Sequence, residues 1–442
     1  MRAVDRFREG DGKGSGSYRP STTTSNVITP QGMSKPGPTD PAVSAQFRYN
    51  SKMTPRIYLD HNATAPILPE VAAAMADCYA TGHANPASQH FAGRRARQIV
   101  EDCREAIGRL LGADVDGREP DQIVFTSGGT EANNLALAGL CTNRSAGLAI
   151  STIEHPSITG PAERMSQQGY RLERLRVTSA GVADLDHLSD LLRRPPCLLS
   201  LMLGNNETGV LQPVREAAAQ CARAGVLLHT DAVQVVGKLL VDFRSLGVAA
   251  LSLSAHKFHG PVGIGVLLIR HGVALSPLLV GGHQQAGHRP GTEPVALIVG
   301  LRAALECWHR EQTERTSRLA ELRDQFERQL LAACPEIVVN GSDAPRLPHT
   351  SNISFTGVDR QALAMALDLA GIACSTGSAC ASGSSEPSPV LIAMGLPDER
   401  IASALRYSLG ARTTAADVSR AATLISQIYK DLRDKQLVRK SG

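Results

Sequence analysis

The stretch SLSAHKFHGPVGIGVLLIR, residues 252–270, decides how the chain is read. An apolar run ends at Ser254, small residues carry the chain past His256 and Lys257, and a second apolar run, GVLLIR, follows. A buried ammonium is costly unless it has a partner or a task. A lysine at the end of a strand-like run therefore marks a place where something is held.

Working outward, QIVFT (122–126), GLAIST (147–152), CLLSLML (197–203), VLLHT (226–230) and ALSLS (250–254) are further short apolar runs. Helical patterns such as EANNLALAGL (131–140) and VREAAAQCARAG (214–225) separate them. Runs that are apolar without alternation and spaced by helices predict a mainly parallel sheet covered on both faces. The expected class is α/β with a doubly wound sheet. A long helical pattern at about 300–335 leads to a second unit holding NISF (352–355) and an amphipathic helix at 415–435. Two packed units are also what 442 residues suggest.

A hydrophobic content of 42% and a charge content of 20% describe a soluble globular protein. No apolar run is long enough to cross a bilayer, and no secretory pattern opens the chain, so a cytoplasmic location is expected. Residues 1–52 are rich in Ser, Thr, Pro and Gly and read as a disordered extension. Their eight basic and four acidic residues account for the whole net charge of +4. The remainder is neutral on balance and offers no basic face for nucleic acid. Nine cysteines without paired spacing read as reduced thiols. Cys103, Cys141, Cys221 and Cys307 sit in apolar patterns and read as small core residues.

In open α/β sheets ligands bind beyond the carboxyl ends of the strands. QIVFT runs into SGGTE, where Gly129 and Thr130 at a helix start suit an anion, although a plain strand–helix turn is the commoner reading. VLLHT runs into Asp231 and Gln234; the carboxylate could cap a helix or hold a ring nitrogen protonated. IST runs into His155, whose flat ring could stack on an aromatic ligand, and LSLML runs into Asn206. ALSLS delivers Ser254, His256 and Lys257 together. Each sign is ambiguous alone. Together, a phosphate cup, a carboxylate, a stacking imidazole and a lysine are the set that pyridoxal phosphate requires, with Lys257 as the residue joined to the cofactor.

The stretches YLDHNATAPILPEV (58–71), ANPASQHFAGRRA (84–96), IVFTSGGTEANNLA (123–136), GNNETGV (204–210), HTDAVQVVGK (229–238), RPGTEPV (289–295) and GIACSTGSACASGSSEPS (371–388) add to this. With residues 252–265 they resemble the NifS/IscS-like cysteine desulfurases, of the class V aminotransferase group of fold-type I pyridoxal-phosphate enzymes. The resemblance implies that Lys257 bears the cofactor, Asp231 faces its pyridine nitrogen, Gln234 bonds its phenolic oxygen and His155 stacks on its ring. It further implies that Gly129, Thr130, Ser254 and His256 hold the phosphate, and that Thr292 reaches the phosphate of a second subunit in a homodimer. Asn206 and Arg406 would bind the substrate carboxylate, a task suited to a planar guanidinium.

Cys380 lies in a run of small, turn-forming residues, where mobility and reactivity are expected rather than packing. The resemblance gives it the role of the nucleophile that takes sulfur from L-cysteine, leaving L-alanine and a persulfide for an acceptor in iron–sulfur assembly or tRNA thiolation. Cys374 reads as a bystander, and no second ligand pair has zinc-like spacing, so no metal is expected. Departures are His283 and Gln285 in GGHQQAG, where glycine and glutamate are usual, and Ala65, where a hydroxyl residue is common. The domains implied are 67–315, and 53–66 with 316–437. Alternatives are a selenocysteine lyase on the same scaffold, a plain transaminase, which has no use for Cys380, and a non-catalytic scaffold protein.

Overall fold

The computed structural model describes residues 56–82, 84–377 and 386–441, with side chains described to residue 435. The extension expected at 1–52 and Cys380, the residue expected to be the nucleophile, lie outside the described residues. The strands in chain order are β1 (Ile57–Tyr58), β2 (Gln122–Thr126), β3 (Leu148–Ser151), β4 (Leu172–Leu175), β5 (Leu198–Ser200) and β6 (Leu227–Asp231). They continue with β7 (Ala250–Ser254), β8 (Gly265–Ile269), β9 (Val338–Val339), β10 (Thr350–Ser354), β11 (Ile372–Ala373) and β12 (Ala404–Ser408). The helices are α1 (Pro69–Ala80), α2 (Phe91–Leu110), α3 (Gly129–Leu140), α4 (Pro156–Gln167), α5 (Leu185–Leu191) and α6 (Val214–Arg223). After them come α7 (Phe243–Leu246), α8 (Val295–Ala333), α9 (Arg360–Leu369), α10 (Pro389–Ala393), α11 (Asp398–Ala402) and α12 (Ala415–Ser441).

A seven-stranded sheet in the order β2-β8-β7-β6-β5-β3-β4 carries the fold. Its pairings from β7 through β6, β5 and β3 to β4 are parallel, and β8 runs antiparallel to both neighbours. Successive side chains on a strand face opposite sides. Ile123, Phe125, Leu251, Leu253, Val266 and Leu268 therefore pack on one face with α1, α2, α6 and the first half of α8. Val124, Ala250, Leu267 and Ile269 pack on the other with α3 and α4. Both faces are buried, which is why the strands are apolar without alternation.

The second half of α8, α9 and α12 surround a separate core with the antiparallel sheet β12-β10-β9 and the parallel pair β1-β11. The expected NISF strand is the end of β10, and the long helix begins at Val295 rather than near 300. CLLSLML is shorter as a strand than its apolar run, because β5 stops at Ser200 and the chain turns toward Asn206. Among the described residues no helix is long and apolar enough to cross a membrane.

Candidate active site

The carboxyl ends of β5, β6 and β7 meet the first turns of α3 and α4 around a cavity of about 380 Å³. Gly129, Thr130, His155, Asn206, Asp231, Gln234, Ser254, His256 and Lys257 all line it. Residues scattered over 129 positions of sequence thus share one surface, as the strand-end rule requires.

Lys257 ends a short 3₁₀ turn, Ala255–Lys257, directly after β7. Its Nζ donates to the carbonyls of Asn62 at 2.7 Å and Ala63 at 2.9 Å. Gln234 Nε2 donates to the same Asn62 carbonyl at 3.1 Å, and Ala65 N donates to His256 O at 2.8 Å. Asn62 itself is fixed by its side chain: Nδ2 donates to Thr350 Oγ1 and to Asn206 O, and Oδ1 accepts from His349 Nε2 at 2.8 Å. The lysine is thus aimed by a loop from far upstream in the chain.

Asp231 is the last residue of β6 and is buried. Its Oδ1 accepts from Val233 N at 2.9 Å, and its Oδ2 accepts from Asn133 Nδ2 at 2.7 Å. Asn133 Nδ2 also donates to Ser157 Oγ at 2.8 Å, and Ser157 Oγ lies 2.8 Å from His155 Nδ1. With Ser157 N also donating to Nδ1 at 3.1 Å, that nitrogen is the acceptor. His155 caps α4, with Pro156 in the first turn fixing the entry. Burial lowers its pKa; Asp231 opposes this, while Lys257 and Arg406 add to it, so the ring is neutral at pH 7. Just before it, Glu154 accepts from Ser151 Oγ and Met202 N, tying the ends of β3 and β5 together. Burial lifts its carboxyl to about 8.

The α3 terminus is cut close. A Cβ on Gly129 would come within 2.8 Å of Val233 Cγ2, and one on Gly265 would come within 2.6 Å of the Gly128 carbonyl carbon. Glycine lets the sheet, Val233 and the helix start close around a space that backbone N–H groups can serve. His256 Nδ1 lies 3.2 Å from Thr64 Oγ1, and burial, with Lys257 and Lys238 nearby, lowers its pKa to about 4. Three lining residues hold buried polar atoms without a hydrogen-bond partner among the described residues: Ser254 Oγ, Gln234 Oε1 and Asn133 Oδ1. Such atoms are rare in a packed interior unless a ligand or water serves them.

Arg406, on β12, lies behind this wall. Its Nη1 donates to Asn206 O at 3.1 Å, and its Nη2 pairs with Asp60 Oδ1 at 2.7 Å. Its backbone exchanges two hydrogen bonds with Ser375, while Ser388 Oγ donates to Glu207 Oε2 at 2.6 Å. Burial pushes the Cys374 thiol up to about 12, which makes it a poor nucleophile at neutral pH. Thr292 is exposed and does not line the cavity. Gln285, one of the departures, brackets the edge strand β2: Oε1 accepts from Phe125 N at 2.6 Å and Nε2 donates to Phe125 O at 2.8 Å.

Sequence reasoning missed Asn62, Asn133, Ser157 and Asp60. The available signal was their place inside HNAT, EANN, EHPS and YLDH, but nothing local says which polar residue of such a run faces inward.

The aminotransferase class-V model matches residues 57–421. The cysteine desulfurase IscS of Dictyoglomus turgidum is 38% identical over 384 residues, 86% of this chain and 96% of that protein. The cysteine desulfurase NifS of Azotobacter vinelandii is 38% identical over 380 residues, 86% of this chain and 94% of its own length. Among solved structures, the NifS-like protein of Rickettsia africae superposes with a TM-score of 0.77 at 31% identity, covering 85% of this chain and 99% of that one. Proteins of this kind depend on pyridoxal phosphate, and their α/β fold, with its mainly parallel sheet, is the one described above. The chain belongs to the aminotransferase class-V family.

Proposed function

We propose that the protein is a pyridoxal-phosphate-dependent cysteine desulfurase, converting L-cysteine to L-alanine and holding the released sulfur as a persulfide on Cys380. What supports this most is the convergence of Lys257, Asp231 and His155 on one cavity, in a chain 38% identical to proteins named cysteine desulfurase.

The residues present fit the cofactor. The Ser254 hydroxyl, without a partner among the described residues, and the first-turn N–H groups at Gly129 and Thr130 suit a phosphate, with His256 beside them. Gln234 Oε1 suits a ring hydroxyl, and the Asp231 carboxylate, fixed by Asn133 and Val233, suits a protonated ring nitrogen. When bound, pyridoxal phosphate supplies a covalent anchor for the substrate amine and an electron sink for the bonds at its Cα. His155, neutral and held by Ser157, packs as a flat face rather than adding a second positive charge. Lys257 Nζ takes and returns the proton at the substrate Cα. Arg406 and Asn206 hold the substrate carboxylate. The Cys380 thiolate attacks the substrate sulfur, forming the S–S bond as the Cβ–S bond breaks, and the carbon keeps the electron pair of the broken bond and takes up a proton to become the methyl group of alanine.

The same reading takes 67–315 as the cofactor-binding domain and 53–66 with 316–437 as the smaller one. It makes the protein a cytoplasmic homodimer in which Thr292 reaches the phosphate of a second copy. Its acceptor is a protein of the iron–sulfur scaffold kind, which the names IscS and NifS of its relatives suggest, or of the tRNA-thiolation kind. The test is direct: purified protein with pyridoxal phosphate and L-cysteine should form alanine and, with a reductant, sulfide in equal amounts. Alanine formation from selenocysteine only would replace the reading with the lyase, and formation of neither would leave a scaffold.

A further inference from the structure

Cys141 and Cys197 are separated by 56 positions, yet their sulfurs lie 2.8 Å apart. Cys141 ends α3 and is buried; Cys197 directly precedes β5 and is partly exposed. Both sulfurs share one acceptor, the Gly147 carbonyl, at 3.5 and 3.0 Å. The contact is imposed by the backbone, because Cys197 N also donates to Gly147 O at 2.9 Å. Arg171 clamps the two segments from outside, donating to Ala146 O and to Arg194 O at 2.8 Å each. The pair sits at the amino ends of β3 and β5, opposite the strand ends that build the cavity.

We propose that Cys141 and Cys197 form a redox-active dithiol that closes to a disulfide by exchange with a low-molecular-weight disulfide such as oxidised glutathione. Cys197 is the attacking group. The contact between the two sulfurs lowers the Cys197 pKa and, with burial, raises that of Cys141, so the partly exposed sulfur, which the oxidant can reach, is the one that ionises first. The Cys197 thiolate attacks one sulfur of the small disulfide, forms a mixed disulfide and releases one thiolate. Cys141 then loses its proton and attacks the Cys197 sulfur, forming the Cys141–Cys197 bond and releasing the second small thiol. The protein pair gives up two electrons and two protons, and the small disulfide is reduced to two thiols. The resulting loop ties the end of α3 to the start of β5, which restricts the unfolded chain and stabilises the fold.

The test uses the full chain with its cofactor in glutathione buffers of graded potential, followed by alkylation, digestion and mass spectrometry. A peptide pair joined through Cys141 and Cys197 should appear, lighter than the two thiol peptides by two hydrogens and reversed by dithiothreitol. The oxidised form should melt at a higher temperature than the reduced one. In Cys141→Ser the joined pair should vanish and Cys197 should accumulate as the glutathione mixed disulfide. Cys197→Ser should leave Cys141 unmodified, because the buried thiol has no route to the oxidant. Alkylation of both thiols at every potential, or a mixed disulfide on Cys197 that never resolves in the parent protein, would overturn the proposal. None of these readouts depends on desulfurase turnover.

Discussion

The guanidinium of Arg406, with its side chain only 1% exposed, is paired with Asp60 at 2.7 Å across 346 positions of sequence. A charge so enclosed is tolerable only with a partner. The arginine proposed for the substrate carboxylate is therefore held in place before any substrate arrives, by Asp60 together with the Asn206 carbonyl. Asp60→Ala should destabilise the protein by on the order of 3 kcal/mol, because it leaves a buried cation uncompensated. In a double-mutant cycle with Arg406→Ala, measured by urea unfolding, the double variant should lose clearly less than the sum of the two single losses. Simple additivity would mean that the pair contributes nothing.

Lys238 gives the molecule a pH dependence. It is fully enclosed, its Nζ has no hydrogen-bond partner among the described residues, and burial, with Lys257 nearby, lowers its pKa from 10.5 to about 7. Between those two values the unfolded chain binds one proton more than the folded one, so this group makes stability rise with pH. Its contribution is fully present above 10.5 and lost as pH falls through 7. Lys238→Met should remove that slope and stabilise the protein near pH 7 by on the order of a few kcal/mol. Unfolding curves taken from pH 6 to 10 check this, and parallel curves for parent and variant would exclude it.

Lys257→Ala should abolish turnover and remove the adduct that borohydride fixes between protein and pyridoxal phosphate. Peptide mapping of the parent should place that adduct on Lys257. The neighbouring Lys238 is a built-in control, since it is buried close by and not on the cavity wall. An adduct on Lys238 would contradict the proposed role of Lys257.

The sheet was legible in the sequence because burial on both faces leaves an unbroken apolar run, as in ALSLS and QIVFT, and helices separate those runs at a regular pace. The cavity-lining residues at strand ends were legible for the same reason: once β6 and β7 are recognised, Asp231 and Lys257 fall at their carboxyl ends without further information. What could not be read were partnerships across the fold. Nothing near Asp60 points to Arg406, and nothing in CLLSLML says that Cys197 meets Cys141. Gln285 shows in the sequence only as a departure from the usual glutamate; nothing near it says that its amide completes the hydrogen bonding of an edge strand. Such pairings have no sequence period, because they depend on which loops the sheet brings together.

The most direct measurement of the central claim is on Cys380. Serine there keeps the size of the side chain but not a thiolate, which is already present at a few per cent for an ordinary cysteine at pH 7. Cys380→Ser should still bind pyridoxal phosphate and still change its spectrum on addition of L-cysteine, since Lys257, Asp231 and His155 are untouched. Alanine release should collapse, and alkylation with mass spectrometry should find a persulfide on the parent's Cys380 and none on the variant, while Cys374→Ser keeps both activities. Alanine released by Cys380→Ser at the parent's rate would contradict sulfur transfer through this residue.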